Sequence, residues 1–119
     1  MLSLQSSANT DSKWLSQINE LLKKYPDAAH LYFIKANTHA LNGRWQAAQE
    51  YYFSAWNLQQ QNPDYSYNLA IALDQLNQPQ EALRFYLQAQ SLAKSSAHNI
   101  QVNQLEKRIS QLQAGTNNG

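Results

Sequence analysis

The sequence contains no cysteine, and this absence excludes two structural features. Without thiols the chain forms no disulfide framework, and it offers no thiolate ligands for a zinc site. The lack of cysteine is tolerated in the cytosol and in the periplasm alike. The compartment therefore stays open, and from the ordinary composition, 43% hydrophobic and 11% aromatic, we expect a soluble chain that is either cytoplasmic or periplasmic.

Charged residues are also scarce. Asp, Glu, Lys and Arg make up 14% of the 119 residues, and the formal net charge is +1. The only adjacent basic pairs are Lys23-Lys24 and Lys107-Arg108. Binding to nucleic acid depends on a clustered basic surface, so we expect no nucleic-acid partner.

Long apolar runs are missing as well. Crossing a bilayer takes roughly 20 apolar residues in succession, and no stretch approaches that length. The opening residues, MLSLQSSANTDS, have neither a basic region nor a continuous apolar segment, so we expect no signal peptide there. We therefore expect no membrane insertion by this segment, and a bacterial envelope location only as part of a longer anchored protein.

Glycine and proline number only three each, which favours helices. Asn and Gln are plentiful instead, at about a quarter of the chain. No alternation of β-branched residues predicts a sheet. Turn signals divide the helical pattern at Pro26, Gly43, Pro63, Pro79 and Ser95-Ser96. The predicted helices cover about 12–24, 28–42, 45–60, 64–76, 79–94 and 97–113.

The middle of the chain repeats itself with a period of 34 residues, which is typical of helix–turn–helix solenoids. Small, aromatic and apolar residues recur at this spacing. The pairs are Ala36 and Ala70, Ala48 and Ala82, Tyr52 and Tyr86, Ala55 and Ala89, and Leu58 and Leu92. We therefore predict an all-α fold in which six antiparallel helices form a helix-turn-helix solenoid.

These residues resemble the tetratricopeptide repeat (TPR), from residue 14 to residue 113. The resemblance implies a right-handed superhelical stack. It also implies the following division: a disordered lead-in at 1–11, a half-repeat helix at 12–26, a first repeat at 29–62, a second at 63–96, a capping helix at 97–113 and a disordered tail at 114–119. Two positions depart from the family pattern, since Lys35 stands where a buried Leu is usual and His39 where an aromatic is usual.

In this family the first helix of each repeat lines a concave groove that binds peptides. Carried over to this sequence, the resemblance predicts a peptide-binding groove of Phe33, Asn37, Tyr67, Asn68 and Ile71. It predicts secondary contacts from His30, Asp64, Asp74, Gln101 and Leu105. Asparagine suits such a groove because its amide both donates and accepts hydrogen bonds. The alternative interpretation is that Phe33 and Tyr67 are core aromatics and that the asparagines are capping or solvated.

A second candidate surface is an aromatic patch on the third helix. Phe53 is predicted to be exposed there, where it would meet a partner or a second copy, whereas Trp45 and Trp56 are predicted to pack inward. The alternative is a core rim with one stray aromatic. The three histidines show no i,i+4 pair, so we expect no metal and no other cofactor. An enzyme using His39 and Asp74 is a rival hypothesis, although no nucleophile accompanies them. We therefore expect a protein that is not an enzyme.

The run NPDYSYNLAIALDQLNQPQEAL, residues 62–83, is also similar to repeat segments of bacterial pilus-biogenesis proteins of the MSHA and type IV kind. Together the two resemblances imply an adaptor or assembly factor that binds a protein or peptide segment, in bacterial pilus or envelope assembly. The alternative function is structural: self-association, in which the groove is filled by the chain itself or by a second copy in a homodimer.

Overall fold

The chain, as a computed structural model, is described from residue 2 to residue 118, with side chains described for residues 11–115. Within this range it consists of six helices and contains no strand, which confirms the predicted all-α fold. The helices are α1 (Leu2–Lys24), α2 (Ala29–Leu41), α3 (Trp45–Leu58), α4 (Pro63–Gln75), α5 (Pro79–Ala93) and α6 (Val102–Asn118).

Helix α1 is longer than predicted, whereas helix α6, at 17 residues, has the predicted length but is shifted towards the C-terminus. Helix α1 begins at Leu2 rather than at residue 12, and helix α6 ends at Asn118 rather than at residue 113. Most of the two segments predicted to be disordered, 1–11 and 114–119, is therefore helical. No proline or glycine interrupts residues 2–11, so no backbone constraint starts the helix later. Met1 and Gly119 lie outside the described residues.

The two turns that fold the central hairpins have the same geometry, 34 residues apart. Gly43 has a φ of +72° and Asn77 a φ of +61°. In the first turn the Arg44 N–H donates to the His39 carbonyl at 2.9 Å. In the second, the Gln78 N–H donates to the Leu73 carbonyl at 3.0 Å. These bonds cap the C-terminal end of each helix at a residue in the left-handed backbone conformation. Glycine and asparagine adopt this conformation most readily.

Small residues let the four central helices approach closely. Ala36, Ala48, Ala70 and Ala82 are each 0% exposed and belong to one core cluster, so neighbouring helices pack closely around them. Consecutive hairpins are also joined through Gln88 of α5. Its Oε1 accepts hydrogen bonds from the Trp56 indole of α3 at 2.9 Å and from the Ser66 hydroxyl of α4 at 3.0 Å.

The terminal helices close the two ends of this stack. Helix α1 packs on α2 and buries Ile18. Helix α6 packs on α5 and buries Leu105, Ile109 and Leu112 along one stripe. The stack therefore presents the first helices of its two hairpins, α2 and α4, side by side.

Candidate functional site

A cavity of about 430 Å³ opens on the face formed by α2 and α4. We call it the α2/α4 cavity. Its lining residues come from helices α2, α3 and α4. They are Asn37, Ala40, Leu41, Trp45, Tyr52, Asn68 and Ile71. The structure thus brings together three of the five predicted groove residues, Asn37, Asn68 and Ile71.

The two asparagines in the α2/α4 cavity use different groups of their side-chain amides for hydrogen bonds within the protein: Asn37 uses its oxygen, and Asn68 uses its nitrogen. Asn37 Oδ1 accepts the Tyr52 hydroxyl at 2.5 Å, which leaves its N–H groups directed elsewhere. Asn68 Nδ2 donates to the Asp64 carbonyl at 2.8 Å, one turn earlier in its own helix. Asn37 therefore retains hydrogen-bond donors, and Asn68 retains its carbonyl acceptor.

Tyr52 fixes the orientation of Asn37. Its side chain is 3% exposed, and burial raises the pKa of its hydroxyl to about 12. The hydroxyl is a donor at neutral pH and keeps its proton further into the alkaline range than an ordinary tyrosine. With Asn37 Oδ1 accepting that proton, the Asn37 amide is held in one orientation before any ligand arrives.

The lining of the α2/α4 cavity carries no formal charge at neutral pH. Its walls are the indole of Trp45 and the aliphatic groups of Ala40, Leu41 and Ile71. Leu41, at the end of α2, is 88% exposed. A mostly apolar cavity with two oriented amides suits an uncharged ligand that carries peptide groups.

Phe33 and Tyr67 do not contribute to the lining of this cavity. The Phe33 ring lies 4.9 Å from the Tyr65 ring and 5.7 Å from the Tyr52 ring. The Tyr67 ring lies 6.0 Å from that of Tyr86. Both are half-buried against the core, and their ring neighbours are core tyrosines. The spacing of 34 residues gives them equivalent positions but not mutual contact.

The predicted secondary contacts are distributed between the surface and the core. His30 and Gln101 are exposed. Asp64 Oδ1 accepts the Asn99 N–H at 2.9 Å, which ties the segment before α6 to the start of α4. Leu105 is 1% exposed, so its prediction as a ligand contact is wrong. Helix α6 turns that residue into the core, where it covers apolar surface of the preceding hairpin.

Asp74 forms an ion pair with Arg108. The carboxylate accepts two hydrogen bonds from the guanidinium, each 2.7 Å long, and a third from the Tyr86 hydroxyl at 2.9 Å. These bonds, that from Arg108 above all, hold the pKa of Asp74 below its usual value against the opposing effect of burial. Asp74 therefore links α4 to α6, and this role accounts for its charge without a ligand.

Sequence reasoning misses Leu41, Trp45 and Tyr52 as parts of the site. It predicts that Trp45 packs inward, as the indole does, and it assigns Tyr52 to the repeat pattern alone. A residue that packs inward near a helix end still exposes one edge of its ring to an adjoining cavity. The signal in the sequence is the close spacing of Leu41, Gly43 and Trp45 around one turn.

The described side chains include no group of three His, Asp or Glu residues placed to hold a metal ion. His39 and Asp74, the pair of the rival enzyme hypothesis, have separate partners: His39 accepts a hydrogen bond from Arg44, and Asp74 pairs with Arg108. Among the described helices, none has both the length and the apolar character that a bilayer crossing demands.

Comparison with solved structures identifies the architecture. YrrB, a TPR protein with an unusual peptide-binding site, superposes with a TM-score of 0.77 at 22% identity, over 96% of this chain and 56% of YrrB. SycD, a type III secretion translocator chaperone of Yersinia enterocolitica, gives a TM-score of 0.80 at 12% identity, over 95% of this chain and 79% of SycD. A chain of a T3SS complex from Aeromonas hydrophila gives 0.57 at 15% identity, over 96% of this chain and 78% of that one.

The chain therefore has a TPR-like fold, an all-α helix-turn-helix solenoid, and it spans little more than half the length of YrrB. No protein-family model and no curated protein matches the sequence. At these identities the likeness establishes the fold, and function has to be argued from the chain's own residues.

Proposed function

We propose that the chain is a protein-interaction module without catalytic activity, and that the α2/α4 cavity holds an extended, uncharged segment of a partner protein. The observation that carries this proposal is the complementary state of Asn37 and Asn68. One retains amide donors and the other retains a carbonyl acceptor, beside the same cavity. A peptide group presents one acceptor and one donor, so it pairs with both.

The apolar walls determine which side chain the ligand places in the cavity. Trp45 and Ile71 offer apolar contact, and the lining includes no ionised group that would pair with a charged residue. A segment with an aliphatic or aromatic residue beside the bound peptide group therefore fits best. Because no charge pairing is involved, its affinity depends only weakly on salt concentration.

Two features support the assignment to a binding module. The fold is shared with proteins described as a peptide-binding TPR protein and as a secretion chaperone. The groove residues first assigned from the TPR resemblance include three that line the α2/α4 cavity.

The similarity of residues 62–83 to pilus-biogenesis repeats favours an adaptor or assembly factor of a bacterial pilus or envelope machine.

The repeat division is part of this proposal. We assign the first repeat to residues 29–62 and the second to 63–96, with the half-repeat at 12–26 and the cap at 97–113 closing the ends. On this division each repeat contributes one asparagine to the cavity, Asn37 from the first and Asn68 from the second. A single repeat would then not bind the segment.

Peptide selection followed by titration tests the proposal. A library of random 12-residue peptides is selected on the full chain, and a selected peptide is titrated by calorimetry against Asn68→Ala. Loss of one backbone hydrogen bond weakens binding about tenfold. The matched control is Asn103→Ala, an exposed asparagine of α6 outside the cavity lining. Equal affinity of the two variants contradicts the assignment of Asn68.

Self-association is separated from peptide binding by the molar mass in solution. Light scattering is measured on the full chain with and without the selected peptide. A monomer that binds one peptide fits the proposal. A stable dimer that the selected peptide dissociates would assign the cavity to a second copy instead.

A further inference from the structure

The hairpins α2–α3 and α4–α5 carry different kinds of side chain at equivalent positions on the side of the second helices, α3 and α5. In the second hairpin Leu69, Leu73 and Phe85 are buried, at 0%, 6% and 6% exposed, and they line a crevice of about 430 Å³ between α3 and α5. The residues 34 positions earlier are Lys35, His39 and Tyr51. One hairpin therefore buries apolar groups where the other carries cationic and polar ones.

We call Lys35, His39, Arg44 and Tyr51 the Lys35 cluster. The Lys35 ammonium lies 4.1 Å from the centre of the Tyr51 ring, and it donates a hydrogen bond of 2.7 Å to Asn19 of α1. The His39 ring stacks on Tyr51 with centres 5.5 Å apart. Arg44 Nε donates to His39 Nδ1 at 2.8 Å. The cluster thus spans α1, α2 and α3 around one aromatic ring.

The charges of the Lys35 cluster have no carboxylate partner among the described residues. The ion pairs among the described residues use Lys23, Arg84 and Arg108 instead. Burial above all, and then the cationic Arg44 and Lys35, lower the pKa of His39. The face of the Tyr51 ring attracts the ammonium but carries no net charge to offset it.

Fold stability does not explain these residues. Replacing a buried leucine by lysine gives up apolar burial, as the equivalent Leu69 shows. Gathering Lys35 and Arg44 around a neutral histidine adds repulsion between like charges. The chemistry that offsets both effects is an anion placed between the two cations, and an arginine beside a lysine suits a carboxylate.

We propose that the Lys35 cluster binds a carboxylate side chain from an acidic segment of a partner protein. Charge complementarity carries this assignment: Lys35 supplies a positive charge fixed by Asn19 and Tyr51, and the exposed Arg44 supplies guanidinium donors. This site is independent of the α2/α4 cavity, whose lining is neutral. The cavity's proposed ligand is uncharged, whereas this ligand is acidic, so either assignment stands without the other.

The probe is a blocked hexapeptide that alternates Glu and Gly, with the Gln-Gly hexapeptide as its neutral match. Both are titrated into the full chain at low salt, and the imidazole ¹⁵N resonances of His39 are followed by NMR across pH. We expect the acidic peptide to bind and to raise the pKa of His39, because a carboxylate placed beside the ring favours the imidazolium. Equal binding of the two peptides overturns the proposal.

Variants locate the binding. Lys35→Met keeps the aliphatic stem in a position where the other hairpin accepts leucine, so the protein folds. We expect Lys35→Met to weaken the acidic peptide about fivefold. The control Lys107→Met removes the same charge from an exposed position of α6 and leaves the affinity unchanged. Equal losses of affinity in both variants would mean that binding depends only on the net charge of the protein, and they would overturn the proposal.

Two further arms separate the site from other ligands. Asn68→Ala leaves the affinity for the acidic peptide unchanged if the peptide lies outside the α2/α4 cavity. A loss in that variant instead places the peptide in the cavity and overturns the proposal. A single-stranded oligonucleotide with the same number of charges binds more weakly than the peptide. Tighter binding of the oligonucleotide overturns the assignment to a protein carboxylate.

Discussion

Tyr52 and Tyr86 occupy equivalent positions, and each reaches back to the first helix of its own hairpin with its hydroxyl. Tyr52 donates to Asn37 at 2.5 Å, whereas Tyr86 donates to Asp74 at 2.9 Å. Both rings are buried, at 3% and 4% exposed. One scaffold hydrogen bond therefore serves two purposes: it orients an uncharged amide beside the cavity in the first hairpin, and it supports an ion pair in the second.

Removing the Tyr52 hydroxyl tests its role in the cavity. We expect Tyr52→Phe to lower the free energy of unfolding by about 1 kcal/mol, because the half-buried Asn37 loses a hydrogen-bond partner. Urea unfolding followed by circular dichroism measures the change. Tyr25→Phe serves as control, since Tyr25 is 59% exposed and its variant should match the parent. A Tyr52→Phe protein of unaltered stability would contradict this role.

The Tyr52 hydroxyl also predicts alkaline behaviour. Its pKa is raised to about 12 in the folded chain against an ordinary value of 10.0. The unfolded chain thus loses this proton first, and stability present below pH 10 declines as the pH rises towards 12. Urea unfolding at pH 9 and at pH 11 should show a smaller decline for Tyr52→Phe than for the parent. An equal decline in both would contradict the prediction.

The ion pair between Asp74 and Arg108 should anchor α6. Arg108→Gln breaks both hydrogen bonds to a carboxylate that is 17% exposed. We expect a loss of about 1–2 kcal/mol, below the value for a buried pair because the Arg108 side chain is 41% exposed and partly screened by water. Thermal unfolding measures it. Arg84→Gln, which removes an exposed pair with Glu81, should change stability by less than about 0.5 kcal/mol.

His39 predicts a loss of stability on mild acidification. Its pKa is lowered in the folded chain by burial, Arg44 and Lys35, so the unfolded chain takes up a proton at this residue first. The stabilising contribution is complete above the unfolded value of 6.5 and is lost as the pH falls below it. Unfolding at pH 7.5 and at pH 5.5 measures the change. His39→Leu, which copies the equivalent Leu73 of the second hairpin, should reduce this dependence, and an unchanged dependence would assign it to other groups.

The buried alanines should tolerate no added volume. Ala48 of α3 is 0% exposed and belongs to the central core cluster. We expect Ala48→Leu to destabilise the protein by about 1–3 kcal/mol, because the added atoms force the helices apart. Ala114→Leu adds the same atoms at an exposed site of α6 and should change stability little. Chemical denaturation compares the two, and similar values would contradict the close helix contact.

The fold was predictable because equivalent buried positions in the two repeats require the same kinds of residue, so the pattern of burial is visible in the sequence. Ala36 and Ala70 had to be small where helices cross, and Gly43 had to adopt positive φ at a helix end. Six helices followed from these constraints. The start of α1 was not predictable, since no proline or glycine marks a boundary within residues 2–11.

The candidate site was only partly predictable, for a physical reason. Position in a repeat indicates the face of a helix, and this located Asn37 and Asn68. It does not indicate which rotamer a side chain adopts or how far a neighbour reaches. Phe33 therefore packs on core tyrosines, and Arg108 of α6 reaches Asp74 of α4. Trp45 lines the cavity from the second helix of its hairpin, a helix that the groove pattern leaves out.

The most direct measurement is an NMR map of the full chain with a selected uncharged peptide. We predict that the side-chain amide resonances of Asn37 and Asn68 and the indole resonance of Trp45 shift together as the peptide is added. The three groups line one cavity, so they should report the same dissociation constant. Shifts confined to other surfaces, with these three resonances unmoved at saturation, would contradict the assignment of the α2/α4 cavity as the binding site.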